Sequence, residues 1–158
     1  MRAIFIGLFV AILSVAAPPI VKADELSEFW AEASRTVAEG DFKGYAATFH
    51  QDAILVSGFK NTSYPIAKAL VGWKQGFDDT AAGKMKAGVD FRFSAIYRDE
   101  NTAHQTGMFR YFYTDEKGEE KASLVHFQAL LLKKEGWKIM MEYQIKSGSE
   151  EEWNALAH

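Results

Sequence analysis

Two neighbouring segments carry the residue types best suited to chemistry. In Ala122–Lys133, His126, Gln128, Leu130 and Leu132 stand at two-residue steps, and in Trp137–Ile145, Met140, Glu142 and Gln144 do the same. In an extended chain such residues share one face. A histidine and a glutamate within reach of each other make a general acid–base pair, so His126 and Glu142 are the catalytic candidates. With Gln128 and Gln144 they also form the small polar set that orients a ligand on an apolar surface. Met140, Ser57, Trp30 and Trp73 complete the candidate ligand-binding residues, the tryptophans being helix-face core first and pocket wall second. Register decides whether these groups converge, because a slip of one residue reverses every side chain of a strand. In the opposite register Glu142 pairs with Arg110 or Lys138 on an outer face.

Other chemistries lack their residues. The 158-residue chain has no cysteine, hence no disulfide, thiolate nucleophile or zinc–thiolate site. His50, His104, His126 and His158 show no metal-binding spacing, and no metal or cofactor is expected. Phosphate-loop, dinucleotide and nucleophile-elbow motifs are missing, and Ser57 and Ser123 have no local nucleophile context. The net charge is -3, and Lys84, Lys86 and Arg92 are too few for a nucleic-acid surface.

The elements that must position the candidate residues divide into a leader, a body and a tail. Met1-Arg2 precedes an uncharged, almost wholly apolar run from Ala3 to Ala17, then Pro18-Pro19 and Val21-Lys22-Ala23. This is the three-part form of a secretory signal over residues 1–23, and the run is too short for a membrane span of about 20 residues. Cleavage after Ala23 would take Arg2 and Lys22 with it and move the charge from -3 to -5. An exported protein, periplasmic or secreted, is the expectation, with no membrane association after cleavage.

In the body, residues 24–146, Leu26, Phe29, Trp30, Ala33 and Val37 form one helical face that stops at Gly40. Asp41 caps a short second helix carrying Phe42, Tyr45 and Phe49. Ala53–Ser57 reads as a strand and Gly58–Pro65 as a polar loop. Ile66, Ala69, Leu70, Trp73 and Phe77 mark a third helix. From Val89 the period is two, and turns at Asp99–Asn101, Lys117-Gly118 and Glu135-Gly136 separate four strands of an antiparallel meander. Helices first and a meander after them define an α+β class, with N-terminal helices packed in the concave face of a curved antiparallel sheet. Residues 147–158 are an acidic tail in which Ser149 and Glu152 can form a capping box and Trp153 can dock.

The segment Ala38–Ala53, with Gly40-Asp41, Tyr45, Phe49 and Asp52-Ala53, and the closing Glu135-Gly136-Trp137-Lys138-Ile139 resemble the nuclear transport factor two-like superfamily, the cystatin-like cone. The resemblance runs over about residues 26–146 and extends to the ketosteroid-isomerase, polyketide-cyclase and SnoaL-like small domains. It implies a pocket at the wide end of the cone and a homodimer through the outer sheet face. It also implies that Gln128, and with it His126, points inward. The isomerase base position falls on Ser57, its tyrosine on Ala33 and its acid on Gln128, so isomerase activity is not expected. The expected function is binding of a small apolar or amphipathic molecule. The alternatives are a cofactor-free lyase, isomerase or cyclase and a protein-interaction module.

Overall fold

One apolar stripe builds the first helix. A computed structural model describes residues 24–115 and 117–156; the expected signal over 1–23 and His158 lie outside the described residues. Helix α1, Glu25–Glu39, buries Leu26, Trp30, Ala33 and Val37. It ends at Gly40, whose φ of 70° and N–H bonds to the Thr36 and Val37 carbonyls close the last turn. A Cβ at Gly40 would stand 2.4 Å from the Ala81 nitrogen, so the chain here needs glycine for close approach as well as for conformation. Asp41 then caps α2, Phe42–Ala47, by accepting from the Gly44 N–H at 2.8 Å. That bond first, and Arg35 second, hold the Asp41 carboxyl below the usual range.

A single six-stranded sheet follows: β1, Phe49–Ser57; β2, Thr62–Pro65; β3, Lys86–Arg98; β4, Thr102–Thr114; β5, Glu120–Lys133; and β6, Trp137–Ser147. Helix α3, Ile66–Ala81, lies between β2 and β3 in the chain. The order across the sheet is β2-β1-β6-β5-β4-β3. Strands β3 to β6 are the expected meander, but β1 joins its end parallel to β6. The expected loop at 58–65 contains β2, which pairs antiparallel with β1 through Val56–Ser63 and Ser57–Thr62.

The sheet curves around the helices. Part of that curvature sits at Ser94, where the pairing of β3 with β4 shifts by one residue. Opposite the shift is Gly107, where a Cβ would stand 2.1 Å from the Arg92 carbonyl oxygen. The bulge also breaks the alternation read from the sequence. Ile96 pairs with Gln105 on the helix side, and Tyr97 pairs with His104 on the outer side. The core lies between α1, α3 and the sheet, with Leu26, Trp30, Phe127, Leu131 and Ile139 at its centre. The Trp30 indole packs against Phe91 at 4.5 Å and donates to the buried Gln105 Oε1 at 2.7 Å.

The tail folds back as α4, Glu150–Ala155, with both bonds of the Ser149–Glu152 capping box formed. It sits on the outer face of the sheet. Trp153, 5% exposed, stacks under the Arg92 guanidinium at 4.3 Å and accepts at its carbonyl from Arg92 Nη1 at 2.8 Å.

Replacing Gly40 with alanine combines an unfavourable φ with a backbone clash against α3. Gly40→Ala is expected to cost roughly 3 kcal/mol, read as a lowered urea midpoint at unchanged m-value. An unchanged midpoint would show that the α1–α3 approach is not tight.

Candidate functional site

Direct pairing fixes which residues can meet. Opposed residues on adjacent strands share a face, and Phe127, Ala129 and Leu131 of β5 are buried against the helices. Their partners across β6 are Gln144, Glu142 and Ile139. Glu142 and Gln144 therefore face inward. His126 and Gln128 do not: they pair with Lys146 and Tyr143 on the outer side. The expected four-residue polar set is thus split between the two faces of the sheet. The resemblance placed Gln128 inward, one residue out of phase with the apolar set Val125, Phe127, Ala129 and Leu131. That uninterrupted apolar alternation was the sequence signal for the true facing. Two register shifts in the β5–β6 ladder further uncouple the phases of the strands.

The remaining candidates scatter. Met140 lies in the shift between Ile139 and Met141. Ser57 is buried, but its hydroxyl accepts from the Lys60 N–H at 3.3 Å and closes the turn between β1 and β2. Trp30 belongs to the core, its N–H already used by Gln105. His126 faces α4, with Nε2 3.2 Å from Glu152 Oε1. Glu152 is held down to about 2 by His126 first and by the Ser149 N–H second. Arg110 pairs with Glu120, and Lys138 donates to the Ala47 carbonyl, so neither is the partner of Glu142.

Glu142, Gln144 and Trp73 do come together, around a cavity of about 400 Å³ between the helices and the sheet. Its walls are Val37 of α1, Tyr45 of α2, Trp73 and Phe77 of α3, and Val89, Phe91, Phe109, Tyr111 and Val125 of the sheet. Tyr45 was expected on the second helix, Phe77 as helix core first and pocket wall second, and Phe109 and Tyr111 as sheet packing and dimer surface ahead of a substrate platform. Their alternation with Arg110 and Phe112 was the available clue. Gly72, Gly76 and Thr80 border the cavity at four-residue steps along α3. A Cβ at Gly72 or Gly76 would meet nothing within 4 Å.

Glu142 is 7% exposed, and burial pushes its carboxyl above the usual range. Gln144 Nε2 donates to Glu142 Oε1 at 2.8 Å and partly offsets this. Tyr45 is half-buried, and desolvation first, then the charge of Glu142, drives its hydroxyl well above a normal phenol. Tyr111 is raised by burial and by Tyr113. The cavity thus offers a large apolar wall, an acid that is costly to ionise, and neutral donors and acceptors.

A second depression, about 770 Å³, runs along the β3 edge between α1 and α4. Some of its polar groups serve each other, Trp30 with Gln105 and Arg92 with the Trp153 carbonyl, and Asp24 and Arg110 pair with Arg98 and Glu120.

Because Glu142 titrates higher folded than unfolded, its stabilising contribution is complete below about pH 4.5 and is lost as pH rises through the folded value. Glu142→Gln keeps an acceptor for Gln144. It is expected to raise Tm at pH 7 by about 4 °C, for a gain of roughly 1 kcal/mol, with the gain vanishing near pH 4. Equal melting of the two proteins at both pH values would show that the carboxyl is not desolvated.

No protein-family model matches the chain, and no curated protein matches it in sequence. Solved structures do. An NTF2-like protein of unknown function from Shewanella oneidensis superposes with a TM-score of 0.57 at 17% identity, over 75% of this chain and 94% of that one. An NTF2-like protein of unknown function in nutrient uptake from Rhodospirillum rubrum gives 0.56 at 15%, over 76% and 96%. A nuclear transport factor 2 superfamily protein from Salmonella enterica gives 0.56 at 13%, over 80% and 90%. At these identities the likeness shows the fold alone: the chain has the α+β cone seen in these NTF2-like structures.

Proposed function

We propose that the protein binds a small apolar or amphipathic molecule in the cavity beside Glu142. The observation that carries this reading is volume left unfilled at a cost. A glycine inside a helix is less favourable than alanine by about 1 kcal/mol. Gly72 and Gly76 incur that cost within α3, and no neighbouring atom requires it of them. Both border the cavity, so what the missing side chains supply is room. Apolar walls of this extent provide affinity, and Gln144, Ser123 and Thr80 supply orientation.

The proposal includes export, supported by the leader-like run at 3–17, and pairing with a second copy through the outer sheet face. There Ile54 of β1 and Leu130 of β5 are 39% and 38% exposed. A second reading, a cofactor-free lyase, isomerase or cyclase, is favoured by the raised carboxyl of Glu142, which suits a general base or acid. His126 has no part in it, because it faces away from the cavity.

Native mass spectrometry of the protein purified from its own host tests these parts together. The expected result is a dimer of chains beginning at Asp24 that carries a reproducible small-molecule mass. Gly76→Leu should lose that mass, whereas Gly76→Ala should melt a few degrees higher, for a gain of roughly 1 kcal/mol. A bare protein whose melting and dimerisation are indifferent to both substitutions would count against the ligand site.

A further inference from the structure

The cavity is asymmetric in charge. Its walls hold six aromatic side chains, Tyr45, Trp73, Phe77, Phe91, Phe109 and Tyr111, and one carboxylate, Glu142. Among the described residues, no lysine, arginine or histidine lines it. The nearest thing to a counter-charge for Glu142 is the neutral amide of Gln144. A buried carboxylate without a cation is strongly disfavoured, and the faces of aromatic rings carry negative potential that attracts cations. Both features act on a ligand in the same sense. An anion meets repulsion from Glu142, and no basic group compensates. A neutral molecule gains the apolar contact but leaves the carboxyl desolvated and unpaired, or protonated.

Resting on the reading of the cavity as a ligand site, we propose that its ligand class is the lipophilic organic cation, a tertiary amine or quaternary ammonium. The charged nitrogen lies against Glu142, and the surrounding rings and aliphatic walls enclose the hydrocarbon. The cavity volume of about 400 Å³ is within the range of small-molecule sites. The groups that line the cavity with Glu142 come from every surrounding element: Val37 from α1, Tyr45 from α2, Trp73 and Phe77 from α3, Phe91 from β3, Tyr111 from β4, Ser123 from β5 and Gln144 from β6. Tyr45 and Tyr111 are the other titratable groups among them, and burial moves both toward still higher pH. The affinity for a cation in the acid-to-neutral range therefore follows Glu142 alone, and rises as that carboxyl ionises.

The test uses two probes of matched shape, benzyltrimethylammonium and its neutral carbon isostere neopentylbenzene, titrated by NMR into the purified protein. The ammonium is expected to bind at least tenfold more tightly at pH 8, with the preference shrinking as pH falls through the raised titration range of Glu142. Glu142→Gln should bring the two probes to near parity by weakening the ammonium. The comparison on the unaltered protein stands by itself if that variant is poorly folded. Equal binding, or tighter binding of neopentylbenzene, overturns the cation assignment and leaves the ligand site standing. Binding of neither probe, with no change in melting temperature at saturating concentration of either, overturns both.

Discussion

Every strand of this sheet takes its facing from its neighbour, and that parity is the constraint on which the site depends. Once Phe127 and Leu131 are buried against the helices, Ala129 between them faces inward as well. Its partner Glu142 must then enter the core, and His126 must leave it. No side-chain preference overrides this, because turning one residue means turning the whole strand. Only a bulge resets the phase. The sheet uses bulges in β3 opposite Gly107 and along the β5–β6 ladder. Glu142 is therefore buried by its strand's apolar neighbours, despite its own preference for water.

The cavity represents a balance between packing and access. Around α1 and Phe127 the interior is filled, with Trp30 clamped among Phe29, Phe91, Phe93 and Phe127 and its one polar atom satisfied by Gln105. Toward the ends of α2 and α3 the filling stops. Val37, Phe77 and Val89 form a smaller cluster ringed by aromatic side chains, and α3 turns Gly72 and Gly76 toward the opening. Stability is concentrated in one half of the cone, and the other half keeps a walled space with a desolvated acid. Local rules of helix propensity and of burial are both broken there, and both breaks border the same volume.

The outer face is divided as well. Helix α4 lies over Arg92 and His126, through the Trp153 stack and the Glu152 contact, and Met108, which pairs with both Arg92 and His126, is wholly buried. Farther along, toward β1 and the Leu130 end of β5, apolar side chains remain open. His126 thus lies against the tail helix and away from the cavity. A histidine beside a carboxylate has the same residue types whether it performs chemistry or holds a helix, and only its location separates the two roles.

Much of the fold was legible in the chain itself, because its signals are local. The stripe of Leu26, Trp30, Ala33 and Val37, the stop at Gly40, the cap at Asp41 and the capping box of Ser149 and Glu152 each depend on residues within a few positions of one another. So does the change to period two that marks the meander. The site was half legible. Glu142, Gln144 and Trp73 were picked out by type, but they were grouped with His126 and Gln128, which lie on the other side of the sheet. The parallel pairing of β1 with β6, the short β2, the bulges and the meeting of Tyr45, Tyr111 and Glu142 were not legible. These depend on contacts between segments up to about a hundred residues apart, made only when the sheet closes around the helices. The sequence by itself determined the helices and the strands of the meander, with the turns that stop them, because those signals lie within a few residues; β2 and the start of β1 at Phe49 escaped it. Only the tertiary structure decided which way each strand faces, because facing is settled by total burial across the whole sheet and not by any residue within one strand.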